Sequence, residues 1–598
     1  YLYRLIRLDF VTFNLVVVLD YTIIILGGKR MNKLWKKLMA AVCCTTLVIG
    51  LSACGAKDSP AADKGSQAAE DAGKESVAEN TGDSLLTEPG TYPIVTEPVT
   101  LKIMIMSKPY IEDYNTNDFT KYMEDLTGIN LEIEAVSYED SQEKINLAMA
   151  GGDYPDVFMT LEPDVVKYGV KEGMLIPLDD LIEKNMPNFM ANASYTLDSI
   201  RQSDGKIYGL PSINEAYHVM YGNKMWMNSY KLNEMGLSVP TTTQEFYDVC
   251  KAYLEKNPNG VAIGDMNDNA AINWLMNAFI LTPDDPHGSH DKTNSAKCIV
   301  SPDGKVISAA TQPQFKEGLK YIKSLYDMGA FYEGNFSNTE DGLRSLINQD
   351  GEPVLFFPHL YSAKYIDSTA SNEMYRHYEA LSPVEGPEGV RVTPYYYNDG
   401  LYENRFVITD KCENPEVALR FIDWFYQPKS YVMAQYGTEE GVDYIWEPEG
   451  EVGVNGKPAM YTLLNGYTTD VQNHDWQVTS LFYGPSDVRL GESAAADLDK
   501  YDPTALEKFL YEETKEKMEP YAPKKGDYNI LPIMHLTPEE QDEVAVPLVE
   551  VSNYIKESQV AFITGKMDID KDWDSYVSQL DSLGLQQILD VYQQVIDR

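Results

Sequence analysis

At 598 residues the chain is too long for one packed unit, and its 43% apolar content is enough for at least two large cores. Asp and Glu number 92 against 49 Lys and Arg, a formal net charge of -43, which repels phosphate backbones and anionic headgroups and excludes nucleic-acid binding. Of the six cysteines, Cys43, Cys44 and Cys54 lie in or beside an apolar leader, while Cys250, Cys298 and Cys412 are far apart and odd in number. They give no disulfide framework and no CxxC pair, so neither a redox nor a zinc site is expected.

The leader begins at Met31. Lys33, Lys36 and Lys37 form a basic segment, Leu38 to Leu51 a short apolar core, and Leu51-Ser52-Ala53-Cys54 its end. Such a core is too short to span a bilayer and suits a signal peptide over 31–53. Its ending resembles the bacterial lipobox, which implies that Cys54 becomes the lipid-bearing N-terminus. An ordinary secretory cleavage beside an incidental cysteine is the competing reading. Residues 1–30 fit neither. Phe10 to Leu26 is largely apolar and admits a transmembrane reading, but Gly27-Gly28-Lys29-Arg30 before Met31 reads better as an upstream leader translated by mistake. From 54 to 94 the composition of Ala, Ser, Gly, Lys, Glu and Asp cannot bury a core, and predicts a flexible tether.

Val99, Leu101, Ile103 and Ile105 alternate with other residues as in a strand, and Phe119, Tyr122, Met123 and Leu126 then recur at helical spacing before Gly128. Ile129, Leu131 and Ile133 predict a second strand. Ser137-x-x-Asp140 opens a helix ended by Gly151-Gly152, and Val157-Phe158-Met159 makes a third strand. Strand-helix-strand-helix-strand at this spacing argues for a parallel sheet, whose ligands lie beyond the carboxyl ends of the strands, at Ser107–Tyr110 and Met159-Thr160. Further on, Thr242-x-x-Glu245 caps a helix with Phe246, Val249, Cys250 and Tyr253 inward. Pro415 starts another with Val417, Phe421, Trp424 and Phe425 inward, and two helices around Trp573 and Ile588 close the chain.

Four stretches carry a resemblance. Gly151-Gly152-Asp153-Tyr154-Pro155-Asp156-Val157, Asp204-Gly205-Lys206-Ile207-Tyr208-Gly209-Leu210-Pro211, the stretch from Trp226 to Pro240-Thr241-Thr242, and the close Gln593-Gln594-Val595-Ile596-Asp597-Arg598 are similar, in order, to motifs of family 1 extracellular solute-binding proteins. The resemblance covers about 95–598. It implies an α/β, two-lobed periplasmic-binding-protein-like fold with a hinge and an interlobe ligand cleft, lobe 1 from 95–218 and 400–470, lobe 2 from 219–399 and 471–598. The chain should cross between lobes near Tyr217–Asn223 and again near Tyr395–Phe406. The implied function is that of a monomeric ABC-importer receptor, held to the outer face of the bacterial cytoplasmic membrane only by lipid at Cys54. It would capture an extracellular carbohydrate, above all an oligosaccharide, and deliver it to permease subunits without enzymatic activity or a cofactor. An extracellular glycoside hydrolase, with two carboxylates across a sugar cleft, is the rival class. A sensor for a non-sugar solute is another. HExxH, GxSxG and Gly-rich phosphate loops are absent from the sequence.

Tyr (42) far exceeds Phe (18), and Tyr offers a sugar ring both a flat apolar face and a hydroxyl. Position in the inferred topology nominates Tyr110, Thr160, Asn214, Glu215, Tyr217, Trp274, His359, Tyr361, Tyr395, Tyr396, Tyr397, Asn398, Trp446 and Trp476 as ligand-binding residues. In a strand, Tyr395-Tyr396-Tyr397 would send alternate rings to opposite faces, and His359 reads equally as a structural histidine. Asp265-x-Asn267-x-Asn269 begins like an EF-hand loop, but position six is Ala270 and position twelve Met276. Relatives often carry a calcium loop near Asn257-Pro258-Asn259-Gly260, which here runs on into Val261-Ala262-Ile263 without carboxylates. No metal site is therefore expected.

Overall fold

The computed structural model describes residues 85–283, 296–368, 372–396, 400–466, 470–495 and 498–598, all within the unit Thr81–Arg598. Cys54 with its leader, the upstream segment, Tyr397 and Asn398 lie outside them.

Strand Val99–Ser107 pairs in parallel with Ile129–Ser137 along its whole length, Val99 opposite Ile129 and Ser107 opposite Ser137, and on its other edge with Val157–Met159. The helices between them start and stop where the sequence says. Asn117 accepts from the Phe119 N–H and Gly128 ends the first at φ 76°; Ser137 accepts from the Asp140 N–H and Gly152 ends the second at φ 72°. Strand alternation divides the side chains: Leu101, Ile103 and Ile105 pack with Phe119 and Met123, while Met104 packs with Ile145 and Met149 across the sheet. Gly209–Asn214, Leu401–Ile408 and Tyr483–Gly484 complete a six-stranded sheet, the Leu401 strand antiparallel to both its neighbours.

The second lobe is built on a four-stranded sheet of Tyr378–Leu381, Lys224–Asn228, Val354–His359 and Val261–Ile263. A capping box between Thr242 and Glu245 starts helix Thr243–Lys256, whose Phe246, Val249, Cys250 and Tyr253 are buried. Helices Pro313–Asp327, Pro538–Ile563, Trp573–Ser582 and Leu585–Asp597 fill the same core. Helix Pro415–Asp423 packs in the first lobe. No described helix is long and apolar enough to cross a membrane.

The chain changes sheets between Asn214 and Lys224, between Tyr396 and Leu401, and a third time beyond Gly484. Two of the expected boundaries shift. Residues from 471 to about 490 belong with the first lobe, because Trp476, Leu481, Tyr483 and Val488 are buried in its core and Tyr483 pairs with Ile213. The tether ends sooner than 94: Leu86 bridges to Val95, and Ile94 is buried against the first core, because this short run is apolar where the preceding one is not.

Candidate functional site

A cavity of about 1100 Å³ opens between the lobes. The first lobe contributes the loop 107–115, leaving the carboxyl end of the Val99 strand, together with Ser137 and Tyr138 at the end of its parallel neighbour. Ligands of parallel sheets are expected at those ends, where loops are free to diverge. The loop is braced rather than loose. Asn115 exchanges two 2.9 Å hydrogen bonds with the Ile133 backbone, the Tyr110 carbonyl accepts from the Gln472 N–H at 2.8 Å, and the Tyr114 hydroxyl donates to Thr479 at 3.0 Å. Burial pushes the Tyr114 phenol up to about 12, which keeps it a neutral donor.

The second lobe contributes Tyr361 and Lys364, which follow the Val354 strand, and the first turns of helix Glu340–Ile347, whose N-cap Thr339 accepts from the Gly342 N–H. Lys364 pairs with Glu340 at 2.7 Å, and Arg344 donates to the Lys364 carbonyl at 3.4 Å. The Tyr361 ring stands edge-on to His359, centroids 5.0 Å apart. In sign the lining is nearly balanced, with Lys108, Arg344 and Lys364 facing Glu112, Asp113, Glu340 and Asp341. In a chain of net charge -43 this patch attracts neither sign strongly and offers many donors and acceptors, as a polyhydroxylated solute requires.

Of the residues nominated from sequence, Tyr110 and Tyr361 line this cavity. His359 stands behind Tyr361, its carbonyl accepting from the Trp226 indole N–H at 2.9 Å. Tyr217 and Tyr395 flank Tyr221, at 5.4 and 5.0 Å between centroids, in an aromatic row beside two of the crossings. Asn214 and Glu215 serve the crossing itself: Asn214 donates its N–H to the Gly400 carbonyl at 2.9 Å, and the Glu215 carboxylate accepts from the Ser486 N–H at 2.6 Å.

Five nominations are corrected. Thr160 is buried, its hydroxyl bonded to the Met159 and Thr479 carbonyls. Trp274 and Tyr396 lie in the second core, at 5% and 6% exposure. Trp446 stacks on Tyr461 in a two-stranded ribbon, rings 6° from parallel and 6.4 Å apart. Trp476 is fully buried in the first core, its indole N–H on Thr120 at 2.8 Å. Side-chain direction chose the core for Thr160, Trp274, Tyr396 and Trp476, while Trp446 packs half-buried against the first core. Sequence reasoning missed Tyr138, Glu340, Asp341, Arg344 and Lys364. Tyr138 follows the same strand-end rule that found Tyr110, whereas the acids in a capped first turn read as ordinary helix-dipole partners.

Residues 117–438 match the family model for bacterial extracellular solute-binding proteins. The fructooligosaccharide ABC transporter substrate-binding protein FusA of Streptococcus pneumoniae serotype 4 (strain ATCC BAA-334 / TIGR4) is 27% identical over 542 residues, 85% of this chain and 92% of that protein. The polygalacturonan/rhamnogalacturonan-binding protein YtcQ of Bacillus subtilis (strain 168) is 23% identical over 54% of this chain and 63% of its own length. Among solved structures, FusA with kestose aligns at a TM-score of 0.65, with 24% identity over 83% of this chain and 99% of that one. Alginate-binding protein AlgQ2 without calcium ion aligns at 0.62, with 23% identity over 86% and 100%. The likeness to these structures extends to the two-lobed fold.

Proposed function

We propose, on the premise that this chain belongs to the bacterial extracellular solute-binding protein family, that its interlobe cavity captures an oligosaccharide for an ABC importer. The observation that carries this is the cavity itself: a cleft lined by Tyr110, Tyr114 and Tyr138 from one lobe and Tyr361 from the other, amid charged groups of nearly balanced sign. Tyrosine faces match the C–H faces of sugar rings, and the mixed donors and acceptors match their hydroxyls. The lining suits a neutral glycan, because three cations against four carboxylates give a row of sugar carboxylates no net attraction. FusA, named for fructooligosaccharides, matches 85% of this chain, and YtcQ, named for polygalacturonan and rhamnogalacturonan, 54%.

The protein binds its glycan and does not cleave it. A hydrolytic acid needs a carboxyl held protonated by its surroundings. The carboxyls that burial raises, Asp423, Asp475 and Glu492 among them, are not among the residues that line the cavity. Calorimetric titration with neutral fructans, galacturonan oligomers and alginate oligomers tests the reading. Neutral glycans should bind and be recovered intact; shorter products would move the protein to the hydrolases, and preference for uronates would refute the charge argument.

Cys54 carries the membrane anchor in this reading, supported by the Lys-rich start, the short apolar core and Leu51-Ser52-Ala53-Cys54. The native protein should fractionate with membranes, and Cys54→Ala should appear in the medium or unprocessed. Equal fractionation of both forms would refute the anchor. With three crossings joining them, the lobes close on solute by rotation about those segments. The radius of gyration from small-angle scattering should fall at saturation.

A further inference from the structure

Residues 593–598 carry one of the four sequence resemblances, yet none of them lines the cavity. Their contacts lead instead to a second meeting of the lobes. Helix Leu585–Asp597 packs beside helix Pro538–Ile563 in the second core, and Gln593 fastens it there by accepting from the Val306 N–H at 2.8 Å. Arg598 then reaches the start of the longer helix. It donates to the His535 carbonyl at 3.0 Å and pairs with Glu540 at 3.2 Å. Glu540 is itself held by a capping box with Thr537.

The stretch held in this way, 535–542, faces the first lobe. The His535 Nε2 lies 3.0 Å from the Ser199 carbonyl, which can only accept, so that nitrogen carries the proton. It also lies 3.5 Å from the Glu403 carboxyl. The Gln541 amide donates to Asp164 at 2.9 Å, and Lys171 pairs with Asp542 at 2.6 Å. Asp164 is placed in advance, since its other oxygen accepts from the Lys167 N–H at 3.0 Å. Asp164 and Lys171 follow strand Val157–Met159, and Glu403 precedes Phe406, the residue that pairs with Met159. These partners therefore lie at the same sheet edge as the loop 107–115 that lines the cavity. Burial pushes the Glu403 carboxyl up to about 8, so at neutral pH the contact forms without burying a full charge.

We infer that 535–542 is a latch between the lobes, held ready by Arg598, whose bonds favour the closed over the open state. Each bond is modest, but lobes joined by only a few segments rotate at little cost to either core, so a small difference in contacts moves the balance. The latch stands on these contacts alone; that its closure serves a glycan rests on the function proposed above.

Small-angle scattering on the empty full chain reads the latch without any solute, and calorimetry with a neutral fructan reads its consequence. Gln541→Ala should raise the radius of gyration of the empty protein and weaken fructan binding by roughly 2–10-fold, the worth of one hydrogen bond. Arg598 bonds only within its own lobe among the described residues, yet Arg598→Ala should shift both readings the same way. Arg598→Lys, which keeps the charge, should recover part of the shift. Lys323→Ala, which breaks an exposed pair with Asp327 in the same lobe, should match the parent in both. Melting temperatures should stay close to the parent's throughout, because neither core is touched. Equal radii of gyration in the parent, Gln541→Ala and Arg598→Ala would overturn the latch. So would a lower melting temperature for Arg598→Ala with no change in radius, which would make Arg598 a packing residue only. If the radii rise as expected and no fructan binds even to the parent, the latch stands and the proposed function falls.

Discussion

Replacing Trp476 separates a packing role from a binding one. The ring is fully buried, 5.1 Å from Phe119 and 6.2 Å from Phe425 between centroids, and its N–H bonds to Thr120. Truncation to alanine removes the largest side chain from this cluster, a change that typically costs about 3–5 kcal/mol. Trp476→Phe keeps most of the volume and loses one hydrogen bond, for about 1 kcal/mol. That figure stays small because the Thr120 hydroxyl still donates to the Tyr114 carbonyl at 2.6 Å. Urea unfolding followed by far-ultraviolet circular dichroism should therefore rank native, Phe and Ala forms in that order. The chain has seven tryptophans, so their fluorescence would mix signals from both lobes. If Trp476→Ala unfolds within about 1 kcal/mol of the native protein yet loses glycan affinity, the ring serves the ligand and the packing argument fails.

Tyr361→Ala should lose about 1–3 kcal/mol of glycan binding with the melt of the empty protein little changed, as for truncation of an aromatic anchor; unaltered titration curves would remove Tyr361 from the site. Burial, and then the neighbouring Glu507, push the Glu492 carboxyl from 4.5 up to about 8. The folded state thus binds this proton more tightly, so the group's stabilisation is present at low pH and is lost as pH rises through that window. The slope is at most about 1.4 kcal/mol per pH unit. Glu492→Gln should flatten the pH dependence of the urea midpoint between about pH 5.5 and 8, and an unchanged slope would refute the assignment. At Gly400, φ is 65° and an added Cβ would meet the Asn214 carbonyl oxygen at 2.1 Å. Gly400→Ala should lower the melting temperature and weaken glycan binding together, because two crossing segments meet there.

Local signals were legible where one short stretch decides the outcome. Ser137 and Thr242 cap helices because their side-chain oxygens satisfy orphan N–H groups a few residues on, and Gly128 ends one because it tolerates a left-handed backbone. Tyr110 was found by the rule for parallel strands. The second wall of the cleft was harder, since Glu340, Arg344 and Lys364 meet it only after the Val354 strand has been laid beside the Lys224 strand. Trp274 and Trp476 show the converse. Aromatic richness suits both a sugar cleft and a core, and which one a ring reaches depends on packing partners far away in sequence, such as Phe119 for Trp476.

The first sheet draws strands from four separated stretches of the chain, the last of them Tyr483–Gly484. Its assembly is therefore late. A growing chain that has made the first parallel strands still lacks the edge strand and the Trp476 plug until more than 470 residues exist, and contacts so far apart in sequence form slowly. Carboxyl-terminal truncations ending before Trp476 should for the same reason disable both halves of the cleft, and not merely the distal one.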